Sequence, residues 1–397
     1  MKILIVKLSS LGDVVHAMPA VQDILRALPD AHIDWVVERG FAPLAQRCRG
    51  VRRVIASDLR RWRKAPFSHE TRRAWGAFKA ELQQDAYDAV IDLQGLTKSA
   101  LVAWLARLSP DGQRYGLANQ TEGSSFEAPA RWVAHQAITL PARSHAVTRS
   151  RELCAQALHY RMPHELSFGL LAQPWNPKRT GHGLAPEPGL ETGRRDALRG
   201  WVALVHGTSR ADKQWPLAHW RALAQRLNDA GFGVVLPHGS PTEQQTAHDI
   251  AQGLARAQVW PMLSLDALTD ALATCHGVIG VDSGLSHIAV ALELPHVQIY
   301  NFDTAWRTGP LAEQDAQLVI ASEARQSMTS ERMECRVADA PRSDGDKLAR
   351  AIGPIRGAHD DVSDVAAARQ CSVFARPTPS VDAVWQAWLG VLPRADA

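Results

Sequence analysis

Two stretches of the chain, almost 270 residues apart, run a short apolar strand straight into a turn of small and acidic residues. The first is Ile3–Val6 followed by Lys7-Leu8-Ser9-Ser10-Leu11-Gly12-Asp13. The second is Gly277–Gly280 followed by Val281-Asp282-Ser283-Gly284-Leu285-Ser286-His287. A buried strand that turns into a helix in this way is the repeating unit of an open α/β sheet, and ligands collect outside the carboxyl ends of such strands. Two such sites predict two domains facing a common cleft, an arrangement suited to joining two substrates.

Other segments extend the pattern. Ile33–Val37 and Ala89–Leu93 read as further strands of the first half, with helical periodicity between them. A second α/β series starts at Trp201–Val205. It continues through a helix from Pro216, strands at Val234–Leu236, Val278–Val281 and His296–Tyr300, and helices after Pro241 and Gly284. A chain of 397 residues is too long for one hydrophobic core. The expected division is an N-terminal domain over 1–167, a Pro/Gly/Arg-rich linker over 168–200, a C-terminal domain over 201–378 with a polar insertion at 322–378, and a terminal amphipathic helix with its tail over 379–397.

Charge is uneven. The net charge is +3, but Arg39–Arg73 holds eleven Lys or Arg against Asp58 and Glu70. A local +9 on an otherwise acidic body points to an anionic partner met at one face. Arg60-Arg61-Trp62-Arg63-Lys64 is its densest part; an ordinary solvated face is the alternative. No nucleic-acid module is recognisable, so an anionic sugar, phosphate or lipid head group fits better than nucleic acid. The five cysteines are scattered without a CxxC pair, which fits a reducing compartment and argues against structural zinc. Asp344-Gly345-Asp346 has DxD spacing but sits in the polar insertion, so no metal is expected. No secretory signal is evident, and no run approaches the roughly 18 apolar residues of a membrane span.

Each candidate site residue has a structural reading beside its functional one. Ser10 and Asp13 can close a capping box, or Asp13 can present a general base at the cleft. Asp282 or Ser283 can cap a helix relaxed by Gly284, or the same helix N-terminus can receive a diphosphate through its free N–H groups, with His287 nearby. Thr208, Ser209 and Lys213, within His206–Lys213, form a polar loop or a phosphate cradle. Ser240, Pro241 and Glu243 make a sound helix start, and no ribose contact can be read from Glu243 alone. The dinucleotide fingerprint GxGxxG and the P-loop GxxxxGK[ST] are both missing.

Taken in order, Lys7–Asp13, Asp34–Glu38, Arg60–Lys64, Asp92–Gly95 with Lys98, Asp212–Pro216, Leu236–Gly239 and Asp282–His287 resemble the lipopolysaccharide heptosyltransferase I family, glycosyltransferase family 9. The likeness runs from residue 1 to about 300. It implies a GT-B fold: two Rossmann-like domains with parallel sheets and the active site between them. It implies inverting, metal-independent transfer of L-glycero-D-manno-heptose from ADP-heptose, a substrate and not a cofactor, to the Kdo residue of Kdo2-lipid A. The location implied is the cytoplasmic face of the inner membrane, bound peripherally. Asp13 is then the base. Thr208, Ser209, Lys213, Glu243 (ribose), Leu263 (adenine), Asp282, Ser283, Gly284 and His287 contact the donor, and Ser10, Arg60, Arg61, Arg63, Lys64 and Lys98 the acceptor. The loop Asn301-Phe302-Asp303-Thr304-Ala305 departs from the Gly-Pro-Thr type of relatives. A related glycosyltransferase with another donor or acceptor, or a binding module without catalysis on the same fold, are the alternatives.

Overall fold

The computed structural model describes residues 1–174, 200–311, 320–321 and 369–392. Thirteen strands form two sheets. The first contains β1 (Lys2–Val6), β2 (His32–Glu38), β3 (Val51–Ser57), β4 (Tyr87–Asp92), β5 (Leu108–Leu117) and β6 (Gln136–Ile138), in the order β3-β2-β1-β4-β5-β6. The second contains β7 (Trp201–Val205), β8 (Gly233–Leu236), β9 (Ala257–Val259), β10 (Gly277–Val281), β11 (His296–Tyr300), β12 (Ile320–Ala321) and β13 (Gln370–Phe374), ordered β12-β13-β11-β10-β7-β8-β9. Every pairing is parallel. In each sheet the direction of winding reverses beside the first strand, at β1/β4 and at β7/β10, and that reversal opens a crevice at the strand ends.

The strands form because both faces are covered. Ile3 and Ile5 of β1 enter one apolar cluster and Leu4 and Val6 another, all four fully buried. Burying one such side chain contributes about 1.5–3 kcal/mol. The first cluster does not stop at the lobe boundary: Val14, Val15 and Met18 of the helix Leu11–Ala27 pack in it together with Leu268, Ile288 and Ala289 of the second lobe. The helix Gly284–Ala291 is buried from Ser286 through Ala291, so it sits between the sheet behind it and the first lobe in front.

Three expectations change. The start of the expected linker belongs to the first lobe: Phe168 is buried, the Gly169 carbonyl accepts from Arg49 N–H at 2.8 Å, and Leu170 bridges Cys48. The expected polar insertion contains a sheet strand, β13, whose Cys371 and Val373 point inward between half-buried Gln370, Ser372 and Phe374. Three of the eleven basic residues of the stretch, Arg47, Arg52 and Arg53, are internal wiring. Arg52 and Arg53 pair with Asp34 and Asp85 at 2.7–3.1 Å, and Arg47 reaches across to Asp270 of the second lobe. The terminal helix forms as expected over Val381–Val391. Ser380 caps it by accepting from Ala383 N–H, and Trp388 is driven into the second-lobe core. Asp344-Gly345-Asp346 lies outside the described residues.

Candidate active site

The loop after β1 is held from beneath. Oε1 of Gln94 accepts from the N–H groups of Leu8 and Ser9 at 3.0 and 3.1 Å. Gln94 is itself placed by a turn in which Asp92 Oδ1 accepts from the N–H groups of Gln94 and Gly95, while Ser99 Oγ donates to Oδ2 at 2.9 Å. Gly95 takes φ +74°, a left-handed conformation that favours glycine. Burial raises the pKa of Asp92 to about 6 despite these donors.

Asp13 stands at the end of this scaffold, on the first turn of the helix Leu11–Ala27. One carboxylate oxygen accepts from Ser10 N–H (2.9 Å) and Ser10 Oγ (3.0 Å), which closes the capping box. The other oxygen faces Lys7 Nζ at 3.5 Å and Arg149 Nη2 at 3.9 Å, and a third of the side chain is exposed. Burial works against ionisation here, but the ammonium of Lys7, the bonds from Ser10 and the guanidinium of Arg149 outweigh it and hold the pKa at about 2. The capping reading of Asp13 holds and leaves room for the functional one: one oxygen caps, and the other faces the cleft.

The second lobe offers the opposite charge pattern. Asp282, at the end of β10, accepts from Lys213 Nζ at 2.6 Å and lies 3.3 Å from His287 Nε2. Burial pushes its pKa up, and the interactions with His287 and Lys213 reverse that, leaving it well below the usual carboxylate range. Ser283 caps the helix Gly284–Ala291 by accepting from Ser286 N–H. Thr208 Oγ1 donates to the Asp282 carbonyl at 3.4 Å.

The two helix N-termini meet. A Cβ on Gly12 would lie 2.6 Å from the ring of His287, and one on Gly284 would lie 2.5 Å from Leu11. Neither glycine has a positive φ, so each is needed for close approach and not, as the sequence suggests, to relax a turn. The ring of His16 stands 4.3 Å from that of His287, and burial followed by the neighbouring His287 charge holds His16 well below the ordinary histidine range. His145 accepts from Val147 N–H at Nδ1 and therefore carries its proton on Nε2, which donates to the Gly309 carbonyl of the other lobe at 2.9 Å. Arg307 donates to the Gly123 carbonyl at 3.2 Å across the same gap.

Between these groups lies a cavity of about 270 Å³. Lys7, Ser10 and Asp13 line one wall, and Lys213, Asp282 and His287 the other. Arg149 and Arg307 also line it. A second cavity of about 310 Å³ opens beside it among Glu38, Phe41, Asp58, Arg60, Arg61 and Lys64. Lys98 stands between the two, donating to Ser9 Oγ at 2.9 Å, with its pKa lowered by burial and by Arg60.

Of the residues singled out in the sequence, Ser10, Asp13, Lys213, Asp282 and His287 share the first cavity, and Arg60, Arg61 and Lys64 share the second. Arg63 is exposed and lines neither. Thr208 and Ser209 border the loop above Asp282, with Ser209 exposed. Glu243 accepts from Gly239 N–H at 2.7 Å, and a Cβ on Gly207 would lie 2.7 Å from its carboxyl, so it sits at the rim of the β7 and β8 loops. Leu263 is half-buried against the core at the same end of the lobe. Sequence reasoning missed Arg149, His16 and Arg307. Arg149 and His16 sit on buried helix faces that only the lobe contact turns toward the cleft; Arg307 follows the divergent 301–305 loop. Lys7 was visible as a lysine at a strand end, without a role. Among the described residues no group of three or more His, Cys, Asp or Glu is placed to hold a metal ion.

Two parallel lobes with an ionised carboxylate at the tip of one and a lysine beside a helix N-terminus at the tip of the other define a glycosyltransferase of the GT-B class. The chain belongs to glycosyltransferase family 9, the heptosyltransferases, whose profile matches residues 75–339. It is 40% identical to lipopolysaccharide heptosyltransferase 1 of Escherichia coli K12 over 301 residues, covering 76% of this chain and 88% of that protein. It is 38% identical to the enzyme of the same name from Pseudomonas aeruginosa, covering 76% and 78%. Lipopolysaccharide heptosyltransferase 2 of Escherichia coli K12 is 27% identical, covering 79% and 86%. The structure of E. coli heptosyltransferase WaaC with ADP superposes with a TM-score of 0.65 at 36% identity, covering 78% of this chain and 90% of that one. WaaC with ADP-2-deoxy-2-fluoro heptose gives 0.62 at 38%, covering 75% and 88%.

Proposed function

We propose that this heptosyltransferase moves L-glycero-D-manno-heptose from ADP-heptose to a Kdo hydroxyl of Kdo2-lipid A, with inversion and without a metal. The observation that carries the reading is the facing of Asp13 and the Lys213–Asp282–His287 group across one cavity. Names and structures of the relatives support the donor, and the higher identity to the type 1 enzymes of E. coli and P. aeruginosa than to the E. coli type 2 enzyme supports transfer of the first heptose.

The chemistry follows from the charges. Asp13 takes the proton of the acceptor hydroxyl as that oxygen attacks the anomeric carbon. The bond from that carbon to the diphosphate breaks on the opposite face, and ADP leaves with the electron pair. The sugar develops oxocarbenium character between the two lobes. Negative charge growing on the diphosphate is met by Lys213, by Thr208 and Ser209, and by the N–H groups at the start of the helix Gly284–Ala291. Lys213 is held by Asp282 before the donor arrives. The donor phosphates compete for it, so the ion pair acts as a stored cation. In this reading Glu243 takes the ribose, Leu263 the adenine, and Ser283 and Gly284 the heptose end of the diphosphate. Ser10, Lys98 and the cavity of Arg60, Arg61 and Lys64 receive the acceptor carboxylates and phosphates, with Arg63 at its edge. Lys7 and Arg149 keep Asp13 ionised and aimed.

No helix among the described residues is long and apolar enough to cross a membrane. Peripheral binding at the cytoplasmic face of the inner membrane is the arrangement we propose. The test is a transfer assay with ADP-heptose and Kdo2-lipid A, with and without EDTA, read by product mass and by the anomeric configuration of the product. A one-heptose increment of inverted configuration, insensitive to EDTA, is expected. Release of ADP without a glycosylated product, or activity abolished by EDTA and restored by Mg²⁺, overturns the reading.

A further inference from the structure

We propose that the outer layer of the N-terminal lobe, the helices His69–Leu82, Thr97–Leu105 and Ala128–Val133, is a surface that docks on an anionic lipid bilayer. All three helices cover one face of the first sheet. Phe78, Leu82, Val102 and Ala103 are buried beneath them, and Val133 packs against the same cluster. Their order in space is tied by polar contacts: Gln83 donates to the Leu105 carbonyl at 2.7 Å, and Thr97 N–H donates to Glu127 at 2.7 Å, just ahead of the third helix.

The outward side of this layer is unusual for a solvated face. Trp132 is 78% exposed, Trp104 60% and Leu101 41%, on two neighbouring helices. Phe67, in the loop before the first helix, is 82% exposed. Tryptophan favours the boundary between water and lipid, where its ring is dry and its N–H is wet. The exposed Trp104 and Trp132, on two helices that pack directly on each other, are of the kind that marks an interaction surface.

Charge selects the partner. Residues 59–82 carry seven Lys or Arg against Glu70 and Glu81, a net +5, so the rest of the chain is net −2. Arg72, Arg73 and Lys79 are exposed on the first helix, and Arg131 is exposed next to Trp132. Basic side chains around aromatic anchors are complementary to phosphate head groups above hydrocarbon. The face also continues into the Arg60–Lys64 cavity. Trp62 of that segment packs on Trp75 and Phe78 with ring centroids 5.6 and 5.4 Å apart. A lipid-linked acceptor whose acyl chains stay in the bilayer would present its head group at the cleft mouth. The inference rests on the lipid acceptor proposed above, but binding to lipid can be measured without any transfer.

The experiment is co-sedimentation of the full chain with vesicles of phosphatidylglycerol and phosphatidylethanolamine, against vesicles of phosphatidylcholine alone, with no donor or acceptor added. Salt-sensitive binding to the anionic vesicles alone is expected. The double variants Trp104→Ser/Trp132→Ser and Arg72→Glu/Arg73→Glu should each bind about tenfold more weakly. Quenching of tryptophan emission by brominated lipid should fall in the first. Transfer to a deacylated, water-soluble acceptor should be unchanged in Trp104→Ser/Trp132→Ser, showing that the fold is intact. Equal binding to both vesicle types, binding untouched by either variant, or a dimer in light scattering that the tryptophan variant dissociates would overturn the proposal. Vesicle binding without heptosyl transfer sinks the functional reading alone; transfer to the soluble acceptor without vesicle binding sinks this one alone.

Discussion

As the base proposed above, Asp13 would have to stay charged beside an apolar lobe contact and still accept a proton during turnover. Its pKa of about 2, below the ordinary 3.8, answers the first demand. A depressed carboxylate contributes stability that is present above pH 3.8 and lost as the pH falls through about 2, so any acid limb of activity above pH 4 belongs to another group. Asp13→Asn should leave ADP binding within about twofold by calorimetry and lower kcat by about 10²–10⁴-fold. A near-normal kcat would remove Asp13 from the chemistry. Asp92 runs the other way. Its pKa is raised to about 6, so the advantage of its neutral form is full below pH 3.8 and is lost as the pH rises through 6. Asn fits its hydrogen bonds, with Oδ1 accepting from Gln94 and Gly95 and Nδ2 turned to Ser99. Asp92→Asn should therefore gain stability relative to the parent between pH 4 and 7, by about 2 kcal/mol in urea titrations. At this scale the residue types were readable and their pairings were not. Nothing local to Arg149 or His16 announces the cleft.

At the scale of elements, the contact between helix N-termini decides whether the lobes can close. Gly12→Ala would improve intrinsic helix propensity by up to about 1 kcal/mol. It would also place a methyl group 2.6 Å from His287, a ring that is already buried. Overpacking of this kind costs about 1–3 kcal/mol. The variant should keep its helix content by circular dichroism, lose about tenfold in kcat, and show a larger radius of gyration in solution scattering. Unchanged kcat would mean that His287 has room to yield. The strands built on short runs rich in apolar and β-branched residues, β1, β2, β4, β7, β8, β10 and β11, are legible in sequence. β5 is not, because Pro110, Asp111 and Gly112 sit inside it and its register shifts against β4. β13 is not, because it is only five residues long and follows a long polar stretch that masks it.

The whole molecule is held at its hinge side by one buried ion pair. Arg47 donates to both oxygens of Asp270, at 2.5 and 2.8 Å, and the same carboxylate accepts from Gln173 N–H at 2.8 Å where the chain leaves the first lobe. Removing the cation takes a bidentate partner from a buried carboxylate, a cost of about 3 kcal/mol. Arg47→Met should lower the urea midpoint accordingly and broaden the interlobe distribution seen by scattering. Arg47→Met/Asp270→Asn should recover part of the loss, and a fully additive double variant would deny the coupling.

Sequence alone determined the two α/β lobes, the turns that carry Asp13 and Asp282, and the family. Those features are written in short-range patterns, apolar runs ended by turn and capping residues, whose meaning does not depend on distant partners. Tertiary structure alone decided which arginines of the basic stretch are free and which are spent on Asp34, Asp85 and Asp270. It also decided that Gly12 and Gly284 exist for close approach, and that Lys7 and Arg149 flank Asp13. A charge or a missing Cβ acquires its role only from the group brought opposite it, and, Lys7 beside Asp13 apart, that group lies tens to hundreds of residues away along the chain.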